Sequence, residues 1–368
     1  LKNTQRNLAL AETTLSALAR VAGWDSARGP PPGQMVNDRF KPLRDYVASV
    51  IGAPSRLDEA LKQLAELYQQ VSRAATAPDQ NAALLSSLSG GAGGDRGQLV
   101  AQLKAAAAGM PAPLGAVTTA AAQNAAAVAV GGARAQINLA WTTGVAPFCK
   151  AALDGRFPMT AASDIDVAPA DFNKLFAPGG LIDQFFNANL KPFVDQTRSP
   201  WRWRAVDGVN LAIPQAALDQ FERAARIRDG LFPVGAASPK VTFEVTPLEL
   251  DARATQATLD VDGQLQSYRH GPPMPMILRW PGGDGPSAVR LSFGPPLPGQ
   301  PAALVKTGTW SLFRFLSAGS LARTAQPERF TFSIKVGDRS VSYALRADSV
   351  NNPFGQNLME AFRCPDAL

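Results

Sequence analysis

Phe330-Thr331-Phe332-Ser333-Ile334-Lys335-Val336, the turn Gly337-Asp338-Arg339-Ser340, and Val341-Ser342-Tyr343-Ala344-Leu345 decide how the fold of this chain is read. On both sides of the turn every second residue is apolar, the period of a strand that buries one face. The same alternation recurs upstream in Val241, Phe243 and Val245, in Met276, Leu278 and Trp280, and in Val289, Leu291 and Phe293. Leu259 and Val261 precede Asp262-Gly263, a strong hairpin signal because both central residues of such a turn need positive φ. Short strands at this spacing predict an antiparallel β-sandwich over 234–350. One inserted helix is expected from Thr309 to Arg323, where Trp310, Leu312, Phe313 and Leu316 take helical spacing. Residues 351–368, with Asn352-Pro353-Phe354 and Phe362-Arg363-Cys364-Pro365, form a C-terminal tail.

Upstream of Val234 the pattern is helical. Residues 1–147 read as an Ala-rich helical region and 148–233 as a second helical region. A first helix is expected from Thr4 to Val21, ended by Gly29-Pro30-Pro31-Pro32-Gly33, since proline lacks the amide donor. From Ser55, capping-box-like spacing to Asp58 opens a helix whose stripe is Leu57, Leu61, Leu64, Leu67 and Val71. Glu59, Lys62, Gln63, Glu66 and Gln70 fall away from that stripe. Ser89 to Gly94 is a loop by composition. From Gln98 to Trp141, two alanine-rich helices break at Gly109-Met110-Pro111, and alanine favours helix and close approach. A further helix runs from Gln215 to Arg228, closed by Gly230. The fold class is therefore α+β and multidomain: an all-α helical bundle region followed by an antiparallel β-sandwich with one inserted helix.

Composition narrows the function. With 46% hydrophobic and 18% charged residues over 368 positions, the chain is globular and long enough for more than one domain. Its net charge of +6 balances 36 basic against 30 acidic residues, and no dense Lys/Arg run tracks a phosphate backbone. Trp201-Arg202-Trp203-Arg204 is read as packing with solvated arginines, not as a base-stacking platform, so nucleic acid is not an expected partner. The stretch from Ala105 to Ala135 is broken by Pro111, Pro113, Gln123, Asn124, Gly131 and Gly132, and no uninterrupted apolar run reaches the roughly 18–20 residues of a membrane span. The chain begins at Leu1 with no initiator Met and no signal-peptide pattern, as a piece of a longer protein would.

Reactive residues are few. No phosphate-binding Gly-Lys loop exists, and a single histidine, His270, cannot complete an ordinary zinc site with Cys149 and Cys364. No cofactor and no metal is expected. The two cysteines read either as a disulfide tying the tail to the helical region or as two separately buried thiols. Asp164, Asp166 and Asp171 resemble a glycosidase carboxylate set only superficially; Asp171 reads as a helix cap before Phe172 and Leu175.

A family resemblance runs from about Phe148 to the end. It is carried by Gly155-Arg156-Phe157-Pro158, by Asp171-Phe172 through Phe176, by Gly179-Gly180-Leu181-Ile182-Asp183 with Phe185-Phe186, and by Ala225 to Asp229 with Phe232. It continues through Val245, Pro247, Leu250-Asp251, Asp262-Gly263-Gln264, Trp280-Pro281-Gly282, Gly308, Trp310, Asn352-Pro353-Phe354 and Phe362-Arg363-Cys364-Pro365. In this order the residues resemble the periplasmic part of the IcmF-related TssM family, core proteins of the type VI secretion membrane complex. The resemblance implies a non-enzymatic periplasmic scaffold that assembles in several copies around a channel. It implies an outer-membrane lipoprotein (TssJ-like) held by the β domain, and an inner-membrane TssL-like subunit reached through an upstream part. The contrasting reading is a cell-wall hydrolase or glycan-binding module, with Trp280, Trp310 and Tyr268 stacking on sugar rings. Within the β domain, the segment from Tyr268 to Pro275 is the candidate lipoprotein-binding loop. Tyr268, Arg269, His270 and Met274 combine aromatic, guanidinium and soft apolar groups in a proline-stiffened run.

Overall fold

The computed structural model describes residues 32–51, 56–80, 82–83, 85, 95–205, 210–283, 285–354 and 358–368. The expected helix from Thr4 to Val21, the cap at Ser55 and the loop from Ser89 to Gly94 lie outside them. The chain divides into two compact units: 1–136 with 204–212, and 137–203 with 213–368.

In the first unit, α1 (Pro32–Ile51) starts on the last proline of the Gly-Pro run. That proline opens a helix, because the first-turn amide it lacks has no intrahelical acceptor anyway. Helix α2 (Arg56–Ala75) buries Ala60, Gln63, Leu67 and Ala74 and leaves Leu61 exposed. The expected leucine stripe is thus rotated. Small alanines on the buried side admit close neighbours, and Leu67 joins Val100, Leu103 and Ala122 in one cluster. Gln63 donates to Glu59 Oε1 at 3.0 Å, while its own side-chain carbonyl is buried without a partner among the described residues.

The break at Gly109-Met110-Pro111 separates α3 (Asp95–Ala108) from α4 (Leu114–Gly144), as the sequence predicts. Helix α4 corrects the reading of its interruptions. Pro111 and Pro113 precede it, Gln123, Asn124, Gly131 and Gly132 lie within it, and by length and composition it is apolar enough to cross a membrane. Ala122, Ala126, Ala129, Ala133, Ile137 and Trp141, spaced three or four apart, are nevertheless buried within the protein.

The second unit opens with α5 (Ala146–Leu153), α6 (Pro169–Phe176) and α7 (Leu181–Phe185), which passes into a π turn at Phe186–Leu190 and a 3-10 turn at Lys191–Phe193. A short ribbon not anticipated from sequence follows, β1 (Val194–Asp195) with β2 (Arg202–Trp203). Trp201 packs on Phe186 at 5.0 Å while Arg202 is exposed. Helix α8 runs from Gln215 to Leu231, so Gly230 does not end it. A Cβ at Gly230 would sit 3.1 Å from the Asn352 carbonyl carbon, and the glycine is there for that close approach.

The β part is a sandwich of two antiparallel sheets. Its strands are β3 (Val241–Leu250), β4 (Gln256–Val261), β5 (Gln264–Tyr268), β6 (Met276–Trp280), β7 (Ala288–Gly294) and β8 (Ala303–Thr307), then β9 (Ser320–Arg323), β10 (Arg329–Val336) and β11 (Arg339–Ala347). One sheet has the order β6-β3-β11-β10-β9 and the other β5-β4-β7-β8. The β10–β11 turn is tighter than expected, with Val336 opposite Arg339, so Arg339 and Ser340 already belong to the strand. The inserted helix α9 (Ser311–Ser317) is also shorter: Ser320 to Arg323 pair with β10 as an edge strand. The alternating apolar residues of β3, β10 and β11 face inward as the period of two requires.

Candidate functional site

The Asp262-Gly263 hairpin has φ of 53° and 84°, both in the left-handed region as its sequence signalled. Its carboxylate gathers the surroundings. Asp262 accepts from Gly282 N at 2.9 Å, Ser287 Oγ at 2.9 Å and Ala288 N at 2.7 Å. Ser287 in turn takes the Trp280 indole N–H at 3.1 Å and, with its own proton on Asp262, accepts from the buried Ser311 Oγ at 2.6 Å. These serine and aspartate side chains lock a turn, a strand start and α9 together.

Helix α9 docks the sandwich onto the helices of the same unit. Trp310 Nε1 donates to Val167 O at 2.9 Å, and its ring meets Phe172 edge-on at 4.7 Å. Arg314 pairs with Asp166 at 2.5 Å, donates to Ser163 O at 2.9 Å and lies over the Phe157 ring at 4.2 Å. Gly308, at φ 105°, leaves room for this joint: a Cβ there would stand 2.8 Å from Asp166 Oδ2. Asp166 is therefore an ion-pair partner within this joint. Asp164 is exposed, and Asp171 corrects the cap reading by lying inside the first turn of α6, whose N-cap is Ala168.

The tail is strapped to the helices. Cys149 and Cys364 are disulfide-bonded across 215 residues. Trp141 Nε1 donates to Pro365 O at 2.8 Å, Leu368 N to Asn138 Oδ1 at 2.8 Å, and Arg363 N to Gln220 Oε1 at 2.9 Å. Phe362 packs edge-on against Phe176 at 5.1 Å.

A cleft of about 310 Å³ in the helical part has Phe186, Trp201 and Phe221 in its walls and the Asp183–Arg228 ion pair beside them. Burial opposes the charge of Arg228, but the hydrogen bond and charge of Asp229, with Asp183, outweigh it and raise its pKa. Among the described residues no group of three His, Cys, Asp or Glu is placed to hold a metal.

Tyr268, Arg269, His270 and Met274 fall where the edges of the two sheets meet. Strand β5 carries Gln264 and Gln266 on its inner face. The Gln264 amide accepts from Arg279 N at 2.9 Å and donates to Arg279 O at 2.7 Å; Gln266 donates to Met274 O at 2.9 Å. Amide side chains thus clip β5 to β6 and the loop before it. Apolar groups face solvent instead: Leu265 is 58% exposed, Met274 73% and Ile277 60%. His270, at φ 57°, is held by its Nε2 at 2.6 Å from Ala254 O, 6.4 Å from the Tyr268 ring, and Arg269 donates to Gln256 Oε1 at 2.9 Å. Residue composition flagged the loop, and the alternation of Met276, Leu278 and Trp280 set Ile277 on the opposite face, but nothing in the sequence flagged Leu265. The sugar-platform reading fails at its tryptophans, since Trp280 and Trp310 are 2% and 1% exposed.

Comparison with known proteins places this architecture. Residues 132–237 match the type VI secretion protein IcmF helical domain, and 243–349 the IcmF C2-like domain. The type VI secretion system component TssM1 of Pseudomonas aeruginosa is 33% identical over 335 residues, covering 90% of this chain and 30% of the relative. The fold is shared with a TssM C-terminal domain from EAEC at 22% identity and TM-score 0.55, covering 64% of this chain and 98% of that one. It is shared also with a chain of a type VI secretion system membrane core complex at 20% identity and TM-score 0.68, covering 99% and 77%. With both IcmF domains matched in order and 90% of its own residues aligned to a TssM component, this chain belongs to the IcmF-related TssM family of type VI secretion proteins.

Proposed function

We propose that the chain is a non-enzymatic periplasmic scaffold of the type VI secretion membrane complex, and that its β domain holds an outer-membrane lipoprotein of the TssJ kind. Several copies assemble around the channel, and a TssL-like inner-membrane subunit is engaged outside the residues present here. The observation that supports this reading is the β5–β6 edge, where apolar groups face solvent on a frame clipped from within by Gln264 and Gln266. Apolar side chains displayed on a rigid edge suit protein docking better than chemistry. Tyr268, Arg269, His270 and Met274 are assigned to the contact, since Tyr and Arg anchors dominate interface energy.

Biolayer interferometry of the purified lipoprotein against residues 1–368 tests it. Tyr268→Ala with Arg269→Ala should weaken binding by about tenfold or more, with unchanged circular dichroism. Full affinity in that variant moves the contact off this loop; absence of binding by the unaltered chain refutes the assignment to the β domain.

A further inference from the structure

At the opposite end of the five-stranded sheet, the structure assigns a second docking edge. We infer that β9 accepts an extended peptide as an added antiparallel strand, with the peptide sequence acidic-x-aliphatic. This goes beyond the lipoprotein contact and does not depend on it.

Strand β9 is terminal in its sheet. Thr324 N donates to Arg329 O at 3.1 Å, and bonded and non-bonded pairs alternate along an antiparallel ladder. The bonded pairs are therefore Ala322 with Thr331 and Ser320 with Ser333, which turns the main-chain N–H and C=O groups of Leu321 and Arg323 away from β10. No described residue hydrogen-bonds those outward groups. Unpaired groups of this kind are what strand addition satisfies.

Beside the edge lies a groove of about 350 Å³, with Phe157, Phe313, Leu321, Phe354 and Met359 in its walls and Glu360 at one side. Leu321 and Arg323, two residues apart, share the face of β9 that looks toward it, because they pair with the buried Phe332 and Phe330. Arg323 is exposed and forms no ion pair with any described carboxylate. An antiparallel peptide sets residue j opposite Arg323 and residue j+2 opposite Leu321. A carboxylate at j meets the guanidinium and an aliphatic side chain at j+2 enters the groove, the pairings that stabilise neighbouring strands. A second copy of this chain fits less well. Two β9 strands paired about Ala322 would set each Arg323 against the other copy's Leu321, so neither a guanidinium–carboxylate nor an aliphatic–aliphatic pair would form across the seam.

The test uses the full chain and fluorescein-labelled Thr-Thr-Glu-Thr-Ile-Thr-Thr, read by fluorescence anisotropy. Saturable binding is expected, weakened about fivefold when lysine replaces the peptide's glutamate. Arg323→Glu should reverse that preference, and Ser317→Trp, at an exposed position on the groove rim, should abolish binding of both peptides. No saturation up to about 1 mM, or indifference to both substitutions, overturns the proposal. So does a concentration-dependent dimer, seen by sedimentation, that Ser317→Trp dissociates.

Discussion

Tyr343 is a buried side chain whose hydroxyl finds no hydrogen-bond partner among the described residues. Burial pushes its pKa well above the ordinary tyrosine value, because the phenolate would lose its hydration. A raised folded pKa means the group's contribution is fully present below about pH 10, the unfolded value, and is lost as the pH climbs further. Unfolding free energy should therefore fall above about pH 10, and less so in Tyr343→Phe. That substitution also removes an unsatisfied hydroxyl, so urea titration at neutral pH should show it neutral or more stable by about 1 kcal/mol. Arg314 presents the reverse case. It pairs with Asp166 and stacks on Phe157 with both charged groups about four-fifths covered. Arg314→Ala strands the carboxylate and should cost about 2 kcal/mol, reduced from the fully buried range by residual solvent screening. Arg314→Lys should not restore it, since a point charge cannot reproduce the planar fork that reaches both Asp166 and Ser163.

Among the elements, the tail has the least secondary structure and some of the most distant partners. Residues 358–368 form no helix or strand, yet they are tied to α4, α5 and α8 through Asn138, Trp141, Cys149 and Gln220. The disulfide closes a long loop, and in the chain-entropy view such a closure stabilises mainly by restricting the unfolded state. Cys149→Ser with Cys364→Ser should lower unfolding free energy by about 2–4 kcal/mol and open the tail to limited proteolysis. Labelling of the denatured, unreduced chain with a maleimide probe should find no free thiol; two labelled thiols would remove the bond from the account. Helix α9 shows the same dependence on partners. At seven residues it is too short to persist alone, and Trp310 and Arg314 hold it against the loop around Asp166.

For the whole molecule, this docking has a consequence for dissection. The sandwich shares its compact unit with the helices from Ile137 to Trp203 and from Ile213 onward. Residues 137–368 should unfold in one cooperative urea transition. Residues 234–368 alone would uncover Trp310 and Phe362 and lose the partner of Cys364, and should bind a hydrophobic dye and aggregate. A monomeric, dye-silent 234–368 fragment would show the sandwich to be independent. The proposed lipoprotein edge at β6 and the proposed peptide edge at β9 end the same five-stranded sheet, so one rigid frame would present both.

The sequence by itself determined the elements with a clean period. The alternation in Val241 to Val245 and Phe330 to Leu345, the Asp262-Gly263 turn and the break at Gly109-Met110-Pro111 all state local requirements of backbone geometry, which neighbouring residues suffice to express. The family, too, was legible in ordered motifs from Gly155-Arg156-Phe157-Pro158 to Phe362-Arg363-Cys364-Pro365. Tertiary structure alone decided which face each element buries and what each motif residue touches. The face of α2 turned on which neighbour came closest, so Gln63 went inside and Leu61 outside. Gly230 and Gly308 were set by backbone and carboxylate atoms over 100 residues away in the chain. Asp166 became an ion-pair partner only because α9 brought Arg314 to it. Leu265 became exposed because β5 turns the amides Gln264 and Gln266 inward to bond Arg279 and Met274, a relation between segments that no single segment encodes.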